Sequence, residues 1–300
     1  MEHLLDKRAG LEGRIAAVIG GGGGIGAAVS LALARCGVDL ALMDRDTSAL
    51  EDTAAQARAL GRKVEVLAGD AADPATLDLF YDGVHRAFAR LDIAVNIAGG
   101  TKRRAFADAR REDFARDIQA NYGYVVQSCQ HAVPLLRASD RGGSIINFTS
   151  IEAHRGAASF AVYAGAKAAT TNFSRALAVE LGDENIRVNC IAPDTTPSKG
   201  NADAMPPEVA AGYASMAPGT IAKGLGMYVP LKSAPPADAL ADAVLFLAGD
   251  LSAFVTGTTI HVDGGTMAAA GFLDWPHGDG FVPVPLSGSL AKLFGEGDPA

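Results

Sequence analysis

Short apolar runs alternate with longer amphipathic stretches over most of this 300-residue chain. The apolar runs, each bounded by turn-forming or polar residues, predict strands at Arg14–Ile19, Asp39–Met43, Lys63–Leu67, Ile93–Ile97, Gly143–Thr149, Arg187–Ala192 and Thr258–Val262. Between them, helical spacing predicts helices at Ile25–Cys36, Thr47–Leu60, Pro74–Phe88, Glu112–Ala138, Ser159–Leu181 and Ala237–Ala248. Near-continuous apolar strands separated by helices form right-handed βαβ units. The pattern therefore predicts an α/β chain, doubly wound, with a seven-stranded parallel sheet and helices on both faces.

Two regions break this rhythm. Residues 195–236 are rich in Pro, Gly, Ala and Met and lack a clear period, which predicts a covering loop with short helices. The segment 267–300 carries Phe272, Trp275, Phe281 and Phe294 among Gly and Pro. Those aromatics predict a tail that packs on the mouth of a site or on a neighbouring subunit.

Composition narrows the function classes. Hydrophobic residues make up 49% of the chain, enough for a full core. A formal charge of −8 argues against a nucleic-acid or anionic-membrane partner. No apolar run reaches the roughly 20 residues of a membrane span, and Met1–Gly13 has no signal-peptide core, so a cytoplasmic location is expected. Cys36, Cys129 and Cys190 are dispersed and odd in number, which fits free thiols, and the six histidines show no ligand spacing, so no metal is expected.

Residues 18–26 read Val-Ile-Gly-Gly-Gly-Gly-Gly-Ile-Gly, between a predicted strand and a predicted helix. A glycine turn there lets phosphate oxygens approach the backbone, and the helix start supplies free N–H groups and the positive dipole end. A flexible linker is also glycine-rich, but its flanks would not be apolar. Asp44 ends the second strand about 20 residues after the turn, where a carboxylate accepts from ribose hydroxyls and repels a 2′-phosphate. Arg45 follows and could bind that phosphate instead.

Tyr163 and Lys167 lie four apart in a predicted helix, so phenol and ammonium share a face. A neighbouring ammonium lowers a phenol pKa toward the range of a useful base. Ser150 follows the strand ending at Thr149, at the carboxyl edge where open parallel sheets bind ligands. It is placed to donate to a substrate oxygen beside the tyrosine. Asn121 sits within a predicted helix that it does not favour. It is either a solvated side chain or the anchor of a water relay toward Lys167.

These features resemble the short-chain dehydrogenase/reductase family from about Leu11 to Gly265. The glycine pattern maps to Gly20, Gly24 and Gly26, and the strand-end motif to Asn96-Ile97-Ala98-Gly99. The catalytic tetrad maps to Asn121, Ser150, Tyr163 and Lys167. The Pro-Gly turn maps to Pro193-Asp194, and the terminal motif to Val262-Asp263-Gly264-Gly265. The resemblance implies a single Rossmann domain over 1–266, including the loop 195–236, with the tail 267–300 appended. It implies an NAD site formed by Gly20, Gly22, Gly23, Gly24, Ile25, Gly26, Asp44, Arg45, Asp70, Ala71, Asn96, Ala98, Gly99, Tyr163, Lys167, Pro193 and Thr196. Asp70 is expected either at the adenine or as the cap of the next helix. Gly23 stands where NADP-preferring relatives often carry a basic residue. A small-molecule alcohol or ketone is the implied substrate, with Ser150, Glu152 and Tyr163 in contact with it, and a homotetramer is the implied assembly.

Three positions depart from the pattern. Ile19 replaces a Thr that would tie the glycine loop to the strand beyond, Ile97 replaces a second Asn, and Asp194 replaces the glycine after Pro193. The alternatives are an NADPH-dependent 3-oxoacyl-type ketoreductase, for which Arg45 is the support, and a nucleotide-binding homologue without turnover. Lys102, Arg103 and Arg104 form either a draw for an acidic substrate or a solvated face. Met205, Tyr213, Met216, Met227 and Tyr228 either cover a bulky apolar substrate or pack among themselves.

Overall fold

The computed structural model describes residues 4–194, 196–197, 207–275 and 280–283. The strands are β1 (Ile15–Ile19), β2 (Asp39–Asp44), β3 (Val64–Ala68), β4 (Ile93–Asn96), β5 (Gly143–Phe148), β6 (Ile186–Pro193) and β7 (Thr259–Val262). They form one all-parallel sheet in the order β3-β2-β1-β4-β5-β6-β7. The order reverses between β1 and β4, which opens a crevice at the carboxyl edge. A short helix α1 (Leu4–Ala9) precedes β1 and was not anticipated from the sequence.

Residues alternate across the sheet. From β1, Ala16 and Val18 join one core with Leu33, Leu50 and Val244, whereas Ile15, Ala17 and Ile19 join the other with Leu77, Tyr124 and Leu181. Helices α2 (Gly24–Arg35), α3 (Thr47–Ala59) and α10 (Ala237–Ala248) line the first face. Helices α4 (Pro74–Phe88), α6 (Tyr124–Arg137) and α7 (Ala161–Glu180) line the second. Every residue of β1, β4 and β5 is buried, which explains why these strands are mostly apolar rather than alternating.

The helix expected over Glu112–Ala138 is interrupted. It runs as α5 (Arg111–Ile118), a π-helical turn over Gln119–Gly123, and α6. Asn121 lies in that turn, and its side-chain amide donates to Asp117 O at 2.9 Å. Local side-chain bonding of this kind competes with the regular ladder, and single π turns recur at functional sites.

Beyond β6 lie α8 (Pro207–Ala214) and α9 (Thr220–Tyr228), the short helices expected of the covering loop. After β7 come α11 (Thr266–Ala269) and an antiparallel hairpin of β8 (Phe272–Asp274) and β9 (Phe281–Pro283). β8 packs against α9. Lys232 joins the two segments: it pairs with Asp274, donates to Gly226 O at 3.0 Å and lies 4.6 Å from the Phe281 ring centroid. Met205 and Phe294 lie outside the described residues.

Candidate active site

The glycine turn closes on backbone. Gly20 N and Gly21 N donate to Met43 O at 2.8 and 3.0 Å, and Ile97 N and Ala98 N donate to Ile19 O at 2.9 and 3.0 Å. Ser30 Oγ donates to Gly21 O at 3.1 Å, and Thr53 Oγ1 to Gly22 O at 2.8 Å. Main chain, Ser30 and Thr53 thus hold the loop despite the missing hydroxyl at Ile19. A Cβ on Gly20 would come within 2.7 Å of Ala98 N, and one on Gly26 within 1.7 Å of Gly20 O. α2 starts with no side-chain cap and no acidic residue in its first turn. Uncapped amides beside bare glycines fit a pyrophosphate.

Asp44 Oδ2 accepts from Gly22 N at 3.0 Å, and its Oδ1 accepts from Asp46 N at 3.0 Å. The carboxylate is thereby fixed at the rim of the turn. Arg45 is exposed beside it. Asp70 is exposed at the end of β3, with Oδ1 accepting from Ala72 N at 2.9 Å, and Ala71 is buried behind it. Asp70 does not cap the following helix. Asp73 does, accepting from Ala75 N at 3.2 Å and from Thr76 Oγ1 at 2.7 Å.

Asn96 faces inward. Its Nδ2 donates to Asn147 Oδ1 at 2.8 Å and its Oδ1 accepts from Ser128 Oγ at 2.6 Å. Its side chain therefore fastens β4 to β5 and α6 and leaves only backbone for a cofactor. Ala98 O accepts from Tyr124 Oη at 2.6 Å, and Gly99 adopts φ +140°. That glycine is required: a Cβ there would lie 2.7 Å from Asn121 Oδ1 and 3.3 Å from Lys167 Nζ.

Asn121 is fully buried. Its Oδ1 accepts from Gly100 N at 2.9 Å, its Nδ2 donates to Gly100 O at 2.9 Å, and its carbonyl accepts from Thr170 Oγ1 at 2.9 Å. The solvated alternative is thus excluded; the amide pins the loop after β4 to the helix beneath it.

Lys167 is 3% exposed, and its Nζ donates to Phe148 O at 2.8 Å. It sits 5.9 Å from the Tyr163 ring centroid. Burial pulls its pKa down to about 8. Tyr163 is pushed up to about 12, chiefly by burial, then by the charges of Glu152 and Asp194, against a hydrogen bond with Ser150. Burial thus outweighs the expected lowering of the phenol, and the Lys167 ammonium donates to the Phe148 carbonyl.

Ser150 lies two residues past β5 in extended conformation, φ −163°. Its hydroxyl, expected to point at a substrate, donates instead to the Glu152 carboxylate. Glu152 in turn accepts from Arg155 Nη2 at 2.9 Å. Arg155 lies 4.0 Å from Asp194 and 5.7 Å from the Tyr228 ring centroid, and Tyr228 Oη donates to Asp194 Oδ2 at 2.8 Å. Asp194 therefore ties the turn after β6 to the end of α9. Pro193 ends β6, and Thr196 is buried next to it. Arg155 was missed in the sequence; the usable signal is its i+3 spacing from Glu152 just after Ser150.

The basic run divides. Arg104 pairs with Asp113, whose carboxyl it holds well below its usual range, while Lys102 and Arg103 are exposed, Arg103 5.6 Å from the Phe160 ring centroid. A cavity of about 20 Å³ lies among Lys102, Arg104, Asp113, Phe160 and Tyr163. Among the described residues no cluster of His, Cys, Asp and Glu could hold a metal, and no helix is long and apolar enough to cross a membrane.

A glycine cradle at the reversal of a parallel sheet, with half-buried Tyr163 and buried Lys167 at the same edge, defines a Rossmann-type oxidoreductase site. A family model described as enoyl-(acyl carrier protein) reductase matches residues 20–267. The chain belongs to the short-chain dehydrogenase/reductase family. It is 34% identical over 281 residues to an uncharacterized oxidoreductase of Mycobacterium tuberculosis, covering 92% of this chain and 97% of that one. It is 31% identical over 263 residues to a 3-oxoacyl-[acyl-carrier-protein] reductase of Chlamydia muridarum, covering 85% and 98%. Among solved structures, carveol dehydrogenase from Mycobacterium avium in complex with NAD superposes with a TM-score of 0.78 at 27% identity, covering 86% and 98%.

Proposed function

We propose that this oxidoreductase interconverts a secondary alcohol and a ketone with NAD, using Tyr163 as general acid/base. The observation that carries this reading is the convergence of Tyr163, Ser150 and Lys167 at one edge of the sheet, beside the glycine cradle. When bound, the nicotinamide supplies the hydride chemistry. Gly20, Gly22, Gly23, Gly24, Ile25 and Gly26 hold the pyrophosphate, Asp44 the adenine ribose, and Ala98, Gly99, Pro193 and Thr196 approach through backbone. Lys167 holds the nicotinamide ribose. Tyr163 exchanges the proton of the reacting hydroxyl, and Asn121 keeps the loop at Gly100 in place. Asp44, fixed by Gly22 N, favours NAD over NADP, and the NAD complex of the carveol dehydrogenase supports that choice. The 3-oxoacyl-type reading rests on Arg45 beside Asp44 and on the Chlamydia relative.

The reading includes a cytoplasmic homotetramer and a tail that closes the mouth through its hairpin on α9. Steady-state assay of an alcohol and ketone panel with NAD(H) and NADP(H) tests the reaction and the cofactor together. Tyr163→Phe is expected to abolish turnover and leave NAD binding nearly intact; comparable turnover in the variant contradicts the role given to Tyr163.

A further inference from the structure

Ser150 has one proton to give, and it goes to Glu152 Oε2. The serine cannot serve that carboxylate and also donate to the oxygen of a reacting alcohol. Nor is Glu152 free to follow the serine. Its Oε1 accepts from Arg155 Nη2 at 2.9 Å, and the same guanidinium lies 4.0 Å from Asp194 Oδ2, so it sits between two carboxylates. Asp194 in turn accepts from Tyr228 Oη at 2.8 Å. The Glu152 side chain is only 16% exposed. Once Ser150 turns to a substrate, Glu152 Oε2 is left charged, poorly hydrated and short of a donor, and a desolvated charge without its hydrogen bond is costly.

We propose that the substrate supplies the missing donor: the reacting alcohol is one half of a vicinal diol, whose second hydroxyl donates to Glu152 Oε2 while Ser150 donates to the reacting oxygen. The inference rests on the redox reading above and names its substrate class, with Glu152 as the residue that sets it. Spacing and charge both fit. Ser150 Oγ and Glu152 Oε2 lie within hydrogen-bond reach of each other. The two oxygens of a gauche vicinal diol are about one hydrogen-bond length apart, so each faces one of the two protein oxygens. Two carboxylates around one guanidinium leave this corner with a net negative charge, which accepts a neutral polyhydroxy compound and repels an organic acid. The covering segment is polar here as well. Tyr228, at the end of α9, spends its hydroxyl on Asp194 and lays its ring 5.7 Å from Arg155. In oxidation the reacting carbon loses hydride to the nicotinamide, and its oxygen loses a proton through Tyr163 to water. The product is an α-hydroxyketone. The second hydroxyl keeps its proton throughout and only donates. Reduction of the hydroxyketone runs the same shifts backward.

The test uses the full chain with NAD and compares a vicinal diol, its monomethyl ether and the parent alcohol, in a cyclohexyl and a butyl series. The ether keeps the second oxygen as an acceptor but has lost the donor. The parent alcohol is smaller than the diol, so it separates loss of the donor from steric exclusion of the ether. In wild type, kcat/KM for the diol should exceed that for both other compounds by on the order of 100-fold, the value of a hydrogen bond to a charged acceptor. In Glu152→Met the Ser150 proton is free for any alcohol, and the ratio of diol to parent alcohol should fall to near unity. A merely structural Glu152 would lower all three rates together and leave that ratio alone. The wild-type comparison stands without the variant should Glu152→Met not fold. A wild type that oxidises the ether or the parent alcohol as well as the diol, or a preference that survives in Glu152→Met, overturns the diol and leaves the redox reading standing. A wild type that oxidises none of the compounds overturns both.

Discussion

Asp44 grips Gly22: the carboxylate at the end of β2 accepts the amide of the glycine turn at 3.0 Å. One residue thus sets both the shape of the cradle and the charge at its rim. A 2′-phosphate entering there meets a fixed negative charge, and like-charge juxtaposition at a binding site costs several kcal/mol. Asp44→Ala should therefore shift the ratio of kcat/KM for NAD over NADP toward NADP by on the order of 100-fold, with Arg45 left to meet the phosphate. Steady-state kinetics with both cofactors reads the shift; an unchanged ratio would show that the ribose does not bind against Asp44.

Gly26 allows no side chain. Its Cβ would fall 1.7 Å from Gly20 O, inside the turn that shapes the cradle, and both partners are backbone. Gly26→Ala should displace the turn, lowering stability by about 1–3 kcal/mol and abolishing NAD binding. Thermal unfolding and NAD titration measure the two effects. A variant that binds NAD like wild type would place the pyrophosphate elsewhere.

What the sequence makes legible follows from burial. β1, β4 and β5 are buried on both faces, so their runs are mostly apolar with only the paired Asn96 and Asn147 and Ser144 among them, and the edges of these elements fall within a residue or two of expectation. The glycine turn and the Tyr163/Lys167 spacing are local and equally plain. Three things were hidden. The π turn at Asn121 depends on a side chain reaching Gly100, 21 residues away. The cap of α4 was ambiguous because Asp70 and Asp73 both precede Pro74, and only the backbone path selects Asp73. The link from Ser150 through Glu152 and Arg155 to Asp194 and Tyr228 joins β5, β6 and α9, and pairings of rotamers across three elements leave no period in the chain.

α7 presents Ala161, Gly165, Ala168, Asn172, Ala176 and Val179 along one exposed face, with Val179 86% exposed. Small residues in a stripe let a second helix approach closely, and a two-fold axis through such a face pairs it with itself. This is the face on which the proposed homotetramer would be built. Light scattering should give four times the monomer mass for wild type, and Val179→Glu, which sets like charges against each other at the axis, should give smaller species. A monomeric wild type would refute the assembly.

Lys167 carries the last expectation, and its sign can be worked out. Burial lowers its pKa from 10.5 to about 8, so the folded protein holds a desolvated ammonium at neutral pH that the unfolded chain holds in water. Below about pH 8 both states are protonated and the penalty is at its full size. Between about 8 and 10.5 the folded form gives up its proton first, and stability rises with pH over that window. The depression corresponds to a penalty of roughly 3 kcal/mol, from which the loss of the bond to Phe148 O subtracts about 1 kcal/mol. Lys167→Met should therefore be more stable than wild type at pH 7 while losing turnover, and its advantage should shrink as pH rises toward 10. Urea unfolding of both proteins across that range measures the difference. A variant less stable at pH 7, or an advantage that grows with pH, would mean that the ammonium is well solvated and is not buried against β5.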